Sequence, residues 1–424
     1  MRERSPSTAS SSTCRSTSGP SDSSPGRTVN RRLLFALLAM GIAQAAVYLI
    51  RPTTSYRLLA YGEGVQAVGL VAAAFALLPI FLAIPLGRMS DRRGAPLLVI
   101  GCAVQTVGCL ALAFSATTLT IAAASAVIGL GHLALALGSQ DVVARESHSD
   151  RHDHHFGLLT AGVSLGQLFG PLLAGLLLGE SGTPSVGATT RCLLVAAGIL
   201  VVATLCGAVA DSSEAASART ESRRGSVRTI VRTRGVPAGI FASIAVLAAA
   251  DVFTAYMPVI GAENDIGPRA IGVLLALRAA ASIAARVGIG ATVRRIGRTR
   301  LITIGAAAAA AALVGMTVTH EVWALAALSV AAGFGMGFGQ PLSMTLVVQL
   351  VPDHAKSTAL AVRLTGNRIG QVATPAAAGV VAGTAGASSV FWLLGAILAA
   401  SALAIQRPAP DRPDDVDGVE PVVE

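Results

Sequence analysis

Apolar runs of about 20–25 residues recur twelve times along this chain, separated by short polar or basic stretches. Each is long enough for a helix to cross ~30 Å of hydrocarbon, which takes about 20 mostly apolar residues. The runs predict helical spans near 31–50, 65–87, 95–115, 118–141, 155–179, 188–210, 237–260, 270–291, 299–318, 321–348, 357–383 and 386–406. They are continuous rather than alternating, which excludes a β-barrel, whose strands alternate over about ten residues. Residues 1–30 are Ser- and Thr-rich, and residues 407–424 are Pro- and Asp-rich. Both are expected to be disordered tails. The polar stretch 211–236 separates a first set of six spans, 31–210, from a second, 237–406.

The second six spans echo the first at an offset of about 204 residues. Gly129-Leu130-Gly131 returns as Gly333-Phe334-Gly335. Gly166-Gln167, followed by Pro171 and Gly175, returns as Gly370-Gln371, Pro375 and Gly379. The predicted fold is an all-α integral membrane protein of 12 transmembrane helices in two pseudo-symmetric six-helix bundles. Such a chain works by alternating access, with a substrate site between its halves.

Composition agrees. The hydrophobic fraction is 53% and the charged fraction 13%, where a soluble domain carries about 25% charged residues. The 45 glycines fit helices packed closely in lipid, where small residues let backbones approach. The net charge of +9 does not point to nucleic acid, because of where the charges lie. Most of the 32 Lys and Arg fall in the two tails and in the loops after even-numbered spans. Arg51, Arg57, Arg191 and Arg269 are assigned to the opposite side. This bias predicts a multi-pass protein of the cell membrane with both termini in the cytoplasm. Residues 211–236, with Arg219, Arg223, Arg224, Arg228, Arg232 and Arg234, then form a cytoplasmic linker near anionic lipid.

Other chemistry is thin. Cys14, Cys102, Cys109, Cys192 and Cys206 form no C-x-x-C pair and are read as packing residues. His148, Asp150, His152, Asp153, His154 and His155 fall between spans four and five, and a flexible solvated loop is expected there, not a metal site. The lone lysine, Lys356, follows Ala355, so no G-x-x-x-x-G-K-[ST] loop exists to serve an ATP-driven pump. The short loops predicted on the non-cytoplasmic side leave no room for an enzyme's catalytic groups. No cofactor is expected, and the partners are a small-molecule substrate, protons and the bilayer, with the chain acting as a monomer.

The stretch between spans two and three reads G-R-M-S-D-R-R-G, with glycines at both ends that permit a tight turn. Asp91, among Arg88, Arg92 and Arg93, is placed to accept charge-assisted hydrogen bonds from the other bundle and latch one conformation. Gly87, Asp91, Arg92 and Gly94 resemble, position by position, the G-x-x-x-D-R-x-G signature of the major facilitator superfamily. The basic pair usual after the last glycine is replaced by Ala95 and Pro96, and the second copy carries Arg294 in place of the acid. In span five, Gly157, Gly166, Gly170, Pro171, Ala174 and Gly175 resemble the motif of that superfamily's exporters and drug–proton antiporters. Physically, the glycines leave a smooth face for a neighbouring helix and Pro171 bends the span. The superfamily's span-four arginine is absent, since Ser125 stands at its place before Gly129.

Charges at mid-span are costly and line a cavity or find partners. Asp251 is the deep carboxylate; Arg278 and Arg368 sit at similar depth, and Arg286 and Arg363 lie nearer the cytoplasmic ends. Gln44, His132, Gln167, Asn367 and Gln371 complete the polar set. Asp251, Arg278, Arg368, His132, Gln44, Asn367 and Gln371 are the candidate proton and substrate groups. A pairing of Asp251 with Arg278 or Arg368, broken by substrate, would release or bind a proton. More arginines than acids in the spans points to organic anions or zwitterions as solutes. The resemblance implies export of a small drug or metabolite in exchange for protons. The alternative is proton-coupled or facilitated uptake of a sugar or organic anion.

Overall fold

The computed structural model describes residues 31–93, 96–146, 152–180, 182–210, 227–352 and 355–406, and these are helical without a strand. The first set comprises α1 (Arg31–Ala60), α2 (Val65–Arg93), α3 (Leu97–Phe114), α4 (Thr118–Glu146), α5 (His152–Leu178) and α6 (Val186–Ala210). A short α7 (Val227–Arg232) leads to α8 (Val236–Glu263), α9 (Pro268–Val287), the two-turn α10 (Ile289–Ile296) and α11 (Arg298–Gly315). The last elements are α12 (Val322–Gly337), α13 (Gly339–Gln349), α14 (Lys356–Ala385) and α15 (Ser388–Gln406). With α12 and α13 counted as one broken span, this is the expected architecture of 12 transmembrane helices in two bundles. Eleven spans are long and apolar enough to cross a membrane by themselves. The twelfth, α14, carries Lys356, Arg363 and Arg368, and packs against α2, α8 and α15.

Glycine sets the helix spacing inside each bundle. A Cβ on Gly131 of α4 would stand 2.7 Å from both the Gly101 carbonyl oxygen and the Gln105 nitrogen of α3. Its repeat, Gly335 of α12, would meet the Gly305 oxygen at 2.3 Å and the Ala309 nitrogen at 3.0 Å in α11. Both contacts recur at the offset seen in the sequence, so the repeated glycines are places where two backbones touch.

Three boundaries differ from expectation. Helix α1 continues ten residues past the predicted end at 50, through R-P-T-T-S-Y-R. Only its threonines are satisfied within the helix: Thr53 and Thr54 donate to the Leu49 and Ile50 carbonyls, each at 2.8 Å. Helix α2 runs to Arg93, so Gly87, Asp91 and Arg92 belong to its last turns and the expected tight turn does not begin at Gly87. Gly94 and the side chains of Asp91 and Arg92 lie outside the described residues. The tenth span is interrupted at Phe338. His148 and Asp150, both tails and residues 211–226 are also outside the described residues. His154 and His155 stand in the first turn of α5, not in a loop, and no metal-ligating cluster gathers among the described residues.

The longer α1 corrects the placing of Arg51 and Arg57 in an outer loop: both lie within the helix. Arg57 is 1% exposed. Its Nε and Nη2 donate to the Ser115 carbonyl at 3.0 and 2.8 Å, and Nη2 also to the Ala113 carbonyl at 2.8 Å. Nη1 reaches Thr190 Oγ1 at 2.9 Å. The guanidinium thereby caps the C-terminal carbonyls of α3 and ties α1 to α6. Arg57→Ala strands these acceptors, and we expect a loss of ~3 kcal/mol or more. Thermal unfolding in detergent checks this. Arg57→Lys should rescue only in part, because an ammonium cannot reproduce the fork; an unchanged Tm for either variant would refute the staple.

Candidate functional site

Among the described residues the two bundles meet chiefly at α5 with α9, α2 with α14 and α1 with α8, and also at α2 with α8. The first two are built alike. A Cβ on Gly272 of α9 would stand 2.4 Å from the Pro171 carbonyl oxygen and 3.2 Å from Gly175 Cα of α5. A Cβ on Gly69 of α2 would stand 2.4 Å from the Pro375 oxygen and 2.5 Å from Gly379 Cα of α14. Each clasp is thus a glycine seated on a Pro-x-x-x-Gly backbone, and the two are related by the internal repeat. Both lie towards the end of the bundles away from the start of α1 and the end of α15. There, Arg269 N also donates to the Gly179 carbonyl at 3.1 Å, the Arg269 and Glu180 side chains pair, and the Tyr256 hydroxyl donates to the Val65 carbonyl at 3.2 Å.

The span-five motif therefore divides its work. Pro171 and Gly175 face the other bundle. Gly166 and Gly170 serve their own: a Cβ on Gly170 would meet the Ala45 oxygen at 2.6 Å, and one on Gly166 the Ala45 nitrogen at 2.7 Å. Gly157 has nothing within 4 Å of such an atom.

Beneath the clasps, α1, α2, α4, α8 and α14 surround a cleft with about 630 Å³ of space not filled by atoms, part of it open to solvent. Apolar side chains such as Phe75 and Ile128 make up most of its wall, with Thr54, Arg51, Asp251 and Gln371 among its polar groups. Arg51 of α1 forms an ion pair with Asp251 of α8, which joins the bundles across their interface. The Arg51 guanidinium lies between two rings, 5.3 Å from the Tyr48 centroid and 4.6 Å from that of Phe75. Gln371 Nε2 donates to the second Asp251 oxygen at 2.7 Å, and Arg368 Nη1 donates to Gln371 Oε1 at 3.1 Å. Gln167 Nε2 donates to the Tyr48 hydroxyl at 3.1 Å. A relay from Arg51 to Arg368 thus runs through Asp251 and Gln371, three helices wide.

Of the sequence candidates, Asp251, Arg368 and Gln371 come together. The partner of Asp251 is Arg51, not Arg278 or Arg368. His132 of α4 packs its ring 5.8 Å from that of Phe75, with Nδ1 buried and unpartnered, and lies within electrostatic range of Arg368, Arg51 and Asp251. Gln44 is buried beneath Gly166 with Oε1 unpartnered. Asn367 belongs to a separate network in the second bundle, accepting from Ser243 Oγ at 2.8 Å. In that network Arg363 Nη2 donates to Gln340 Oε1 at 2.8 Å. Gln340 and Ser243 were not singled out from the sequence. Arg51 was seen only as a topological charge, although a guanidinium one residue past an apolar run, opposite a lone mid-span acid, is the available signal.

Several solved structures share this fold. A single-site mutant of the nucleoside transporter NupG superposes with a TM-score of 0.72 at 12% identity, covering 89% of this chain and 99% of that one. A POT family transporter in complex with a thioalcohol-conjugated peptide gives 0.72 at 13%, covering 88% and 95%. An inward-facing bacterial homologue of the human lysosomal transporter Spinster gives 0.66 at 13%, covering 89% and 95%. Among curated proteins none matches. The profile of the Major Facilitator Superfamily matches residues 33–263 and 239–422, so the chain belongs to that superfamily, as a multi-pass membrane transporter and not an enzyme.

Proposed function

We propose that the chain is a proton-coupled secondary transporter that exports a small organic molecule in exchange for protons. The observation that carries this reading is the Arg51–Asp251 pair, which spans the bundle interface at the wall of the central cleft. Protonation of Asp251 would release Arg51 and loosen the bundles, while deprotonation would draw them together again. The charge bias of the loops supports cytoplasmic termini in the cell membrane. On that orientation the clasps seal the outer end. Export is supported by the span-five motif, whose Pro171 and Gly175 build one of the clasps. Gly87, Asp91, Arg92 and Gly94 take the part of a conformational latch at the cytoplasmic end.

Uptake or co-movement of an organic anion with a proton is the second reading, favoured by the surplus of arginines around Asp251. Purified protein in liposomes with an imposed pH gradient separates the two. Antiport predicts solute accumulation in the proton-rich compartment, and cotransport predicts it in the opposite one. Accumulation that ignores the sign of the gradient would sink both.

A further inference from the structure

Arg278 stands at the middle of α9, 5% exposed, with its guanidinium 5.7 Å from the Phe253 ring centroid and its Nε buried without a partner. Among the described residues no hydrogen bond or ion pair engages its side chain. It lies within electrostatic range of Tyr48, Asp251, Arg286 and Arg51, and Arg368 acts on the same carboxylate. Three guanidinium groups, those of Arg51, Arg278 and Arg368, therefore share one acid, and arginine does not shed its proton to relieve the imbalance. Asp251 is already committed to Arg51 and Gln371. Arg286 spends its donors on the Gly337 carbonyl at 3.4 Å and on Ser164 Oγ at 3.5 Å. Arg368 spends one on Gln371. What remains is a buried, unspent fork at the interface of the bundles, in surroundings that carry excess positive charge and aromatic faces.

We infer that the transported solute is an organic anion bearing a carboxylate or phosphate group, and that Arg278 is the residue that receives it. The inference rests on the transport reading above for the location of the site, but not for its coupling. The planar guanidinium fork matches either oxyanion with two parallel N–H···O bonds, which a point charge does not. Phe75, in the cleft wall, and Tyr48 offer apolar faces to the organic body. An anion arriving beside Asp251 disfavours its ionised form and competes with it for Arg51, so anion binding draws a proton onto the carboxylate, which is the coupling of the cotransport reading and not of antiport. Arg51, Tyr48, Gln371, Arg368, His132 and Arg278 are the neighbours that set this balance.

The full-length protein in detergent can be challenged with four matched probes: benzoate, phenyl phosphate, benzylammonium and benzyl alcohol. We expect benzoate or phenyl phosphate to raise the unfolding temperature in a saturable manner, and the other two to leave it unchanged. Arg278→Gln should weaken the anion's effect roughly thirtyfold or more, and Arg278→Lys by less. In weakly buffered solution, addition of the bound anion should draw protons from the medium with wild type and not with Asp251→Asn. Stabilisation by benzylammonium, or by none of the four probes, overturns the anion assignment without recourse to any variant. Anion binding unaltered in a folded Arg278→Gln protein overturns the role given to Arg278. Anion binding without proton uptake upholds the anion site and instead overturns proton coupling through Asp251, so the two readings fail separately.

Discussion

Asp251→Asn is expected to reduce gradient-driven solute accumulation to the level of empty liposomes, while exchange of labelled for unlabelled solute continues. Exchange needs the bundles to move but requires no net proton transfer, so a group that only carries the proton is dispensable for it. Asparagine keeps the shape of the side chain and an acceptor for Gln371 Nε2, which now lies 2.7 Å from the carboxylate. What disappears is the ion pair with Arg51. Removing one partner of a buried pair ordinarily destabilises strongly, because the other charge is left bare. Here Arg51 retains two aromatic faces, each worth ~0.5–2 kcal/mol to a cation, so the variant should insert and fold. Substrate-induced proton flux in proteoliposomes, compared between wild type and variant at equal incorporation, decides the matter. Equal flux would remove Asp251 from the coupling step and leave His132, or a protonatable solute, as carrier.

The second large effect is expected at the clasps. Gly69→Leu and Gly272→Leu each drive a side chain into backbone, since even a Cβ would stand 2.4 Å from a carbonyl oxygen of the facing helix. Overpacking of this kind costs ~1–3 kcal/mol or more, and the cost falls only on the state in which the clasp is shut. A bias of ~2.7 kcal/mol shifts a two-state equilibrium about a hundredfold. Transport requires both states, so initial rates should fall by at least about tenfold for either variant. A cysteine introduced at Thr54, in the cleft wall, should become more reactive to a membrane-impermeant thiol reagent from the sealed side. Gly198→Leu on α6 is the control, because nothing lies within 4 Å of a Cβ there. Normal transport and unchanged thiol reactivity in both clasp variants would show that closure does not depend on this contact.

The bundle architecture was legible because its signals are local or periodic. Gly129, Gly131, Gly333 and Gly335 recur at a fixed offset, and packing of two backbones demands the same small residue in both copies. Pro171 and Gly175 were legible as an interface for the same reason, though not which helix they meet. The site was half legible. A lone deep acid, Asp251, is conspicuous in a hydrocarbon setting where charges are costly. Its partner was not, because Arg51 lies 200 residues away in sequence and follows an apolar run at the place where a span ends by composition. Helix α1 continues past that point where Thr53, Arg57 and Arg51 find partners on helices α6, α3 and α8. Such satisfaction is a property of the assembled bundle and leaves no trace in the run itself. Asn367 and Gln371, four residues apart, looked like one face, yet Ser243 and Asp251 on α8 draw them into separate networks.

Helix α14 carries a consequence for biogenesis. Arg363 and Arg368 lie within it, and each arginine at the centre of a helix opposes entry from the translocon by about 2.5–3.5 kcal/mol. Among the described residues, α14 is the one span that by length and composition alone does not qualify for the bilayer. Its polar side chains are met by groups on α8 and α13, and its glycines by α2 and α8. All three helices precede it in the chain, so they have left the ribosome before α14 emerges. The late, polar helix is inserted into a partly assembled protein that already offers it hydrogen bonds and a carboxylate. The order of synthesis thereby permits a wet, charged surface to be built into the membrane late, with only α15 still to follow.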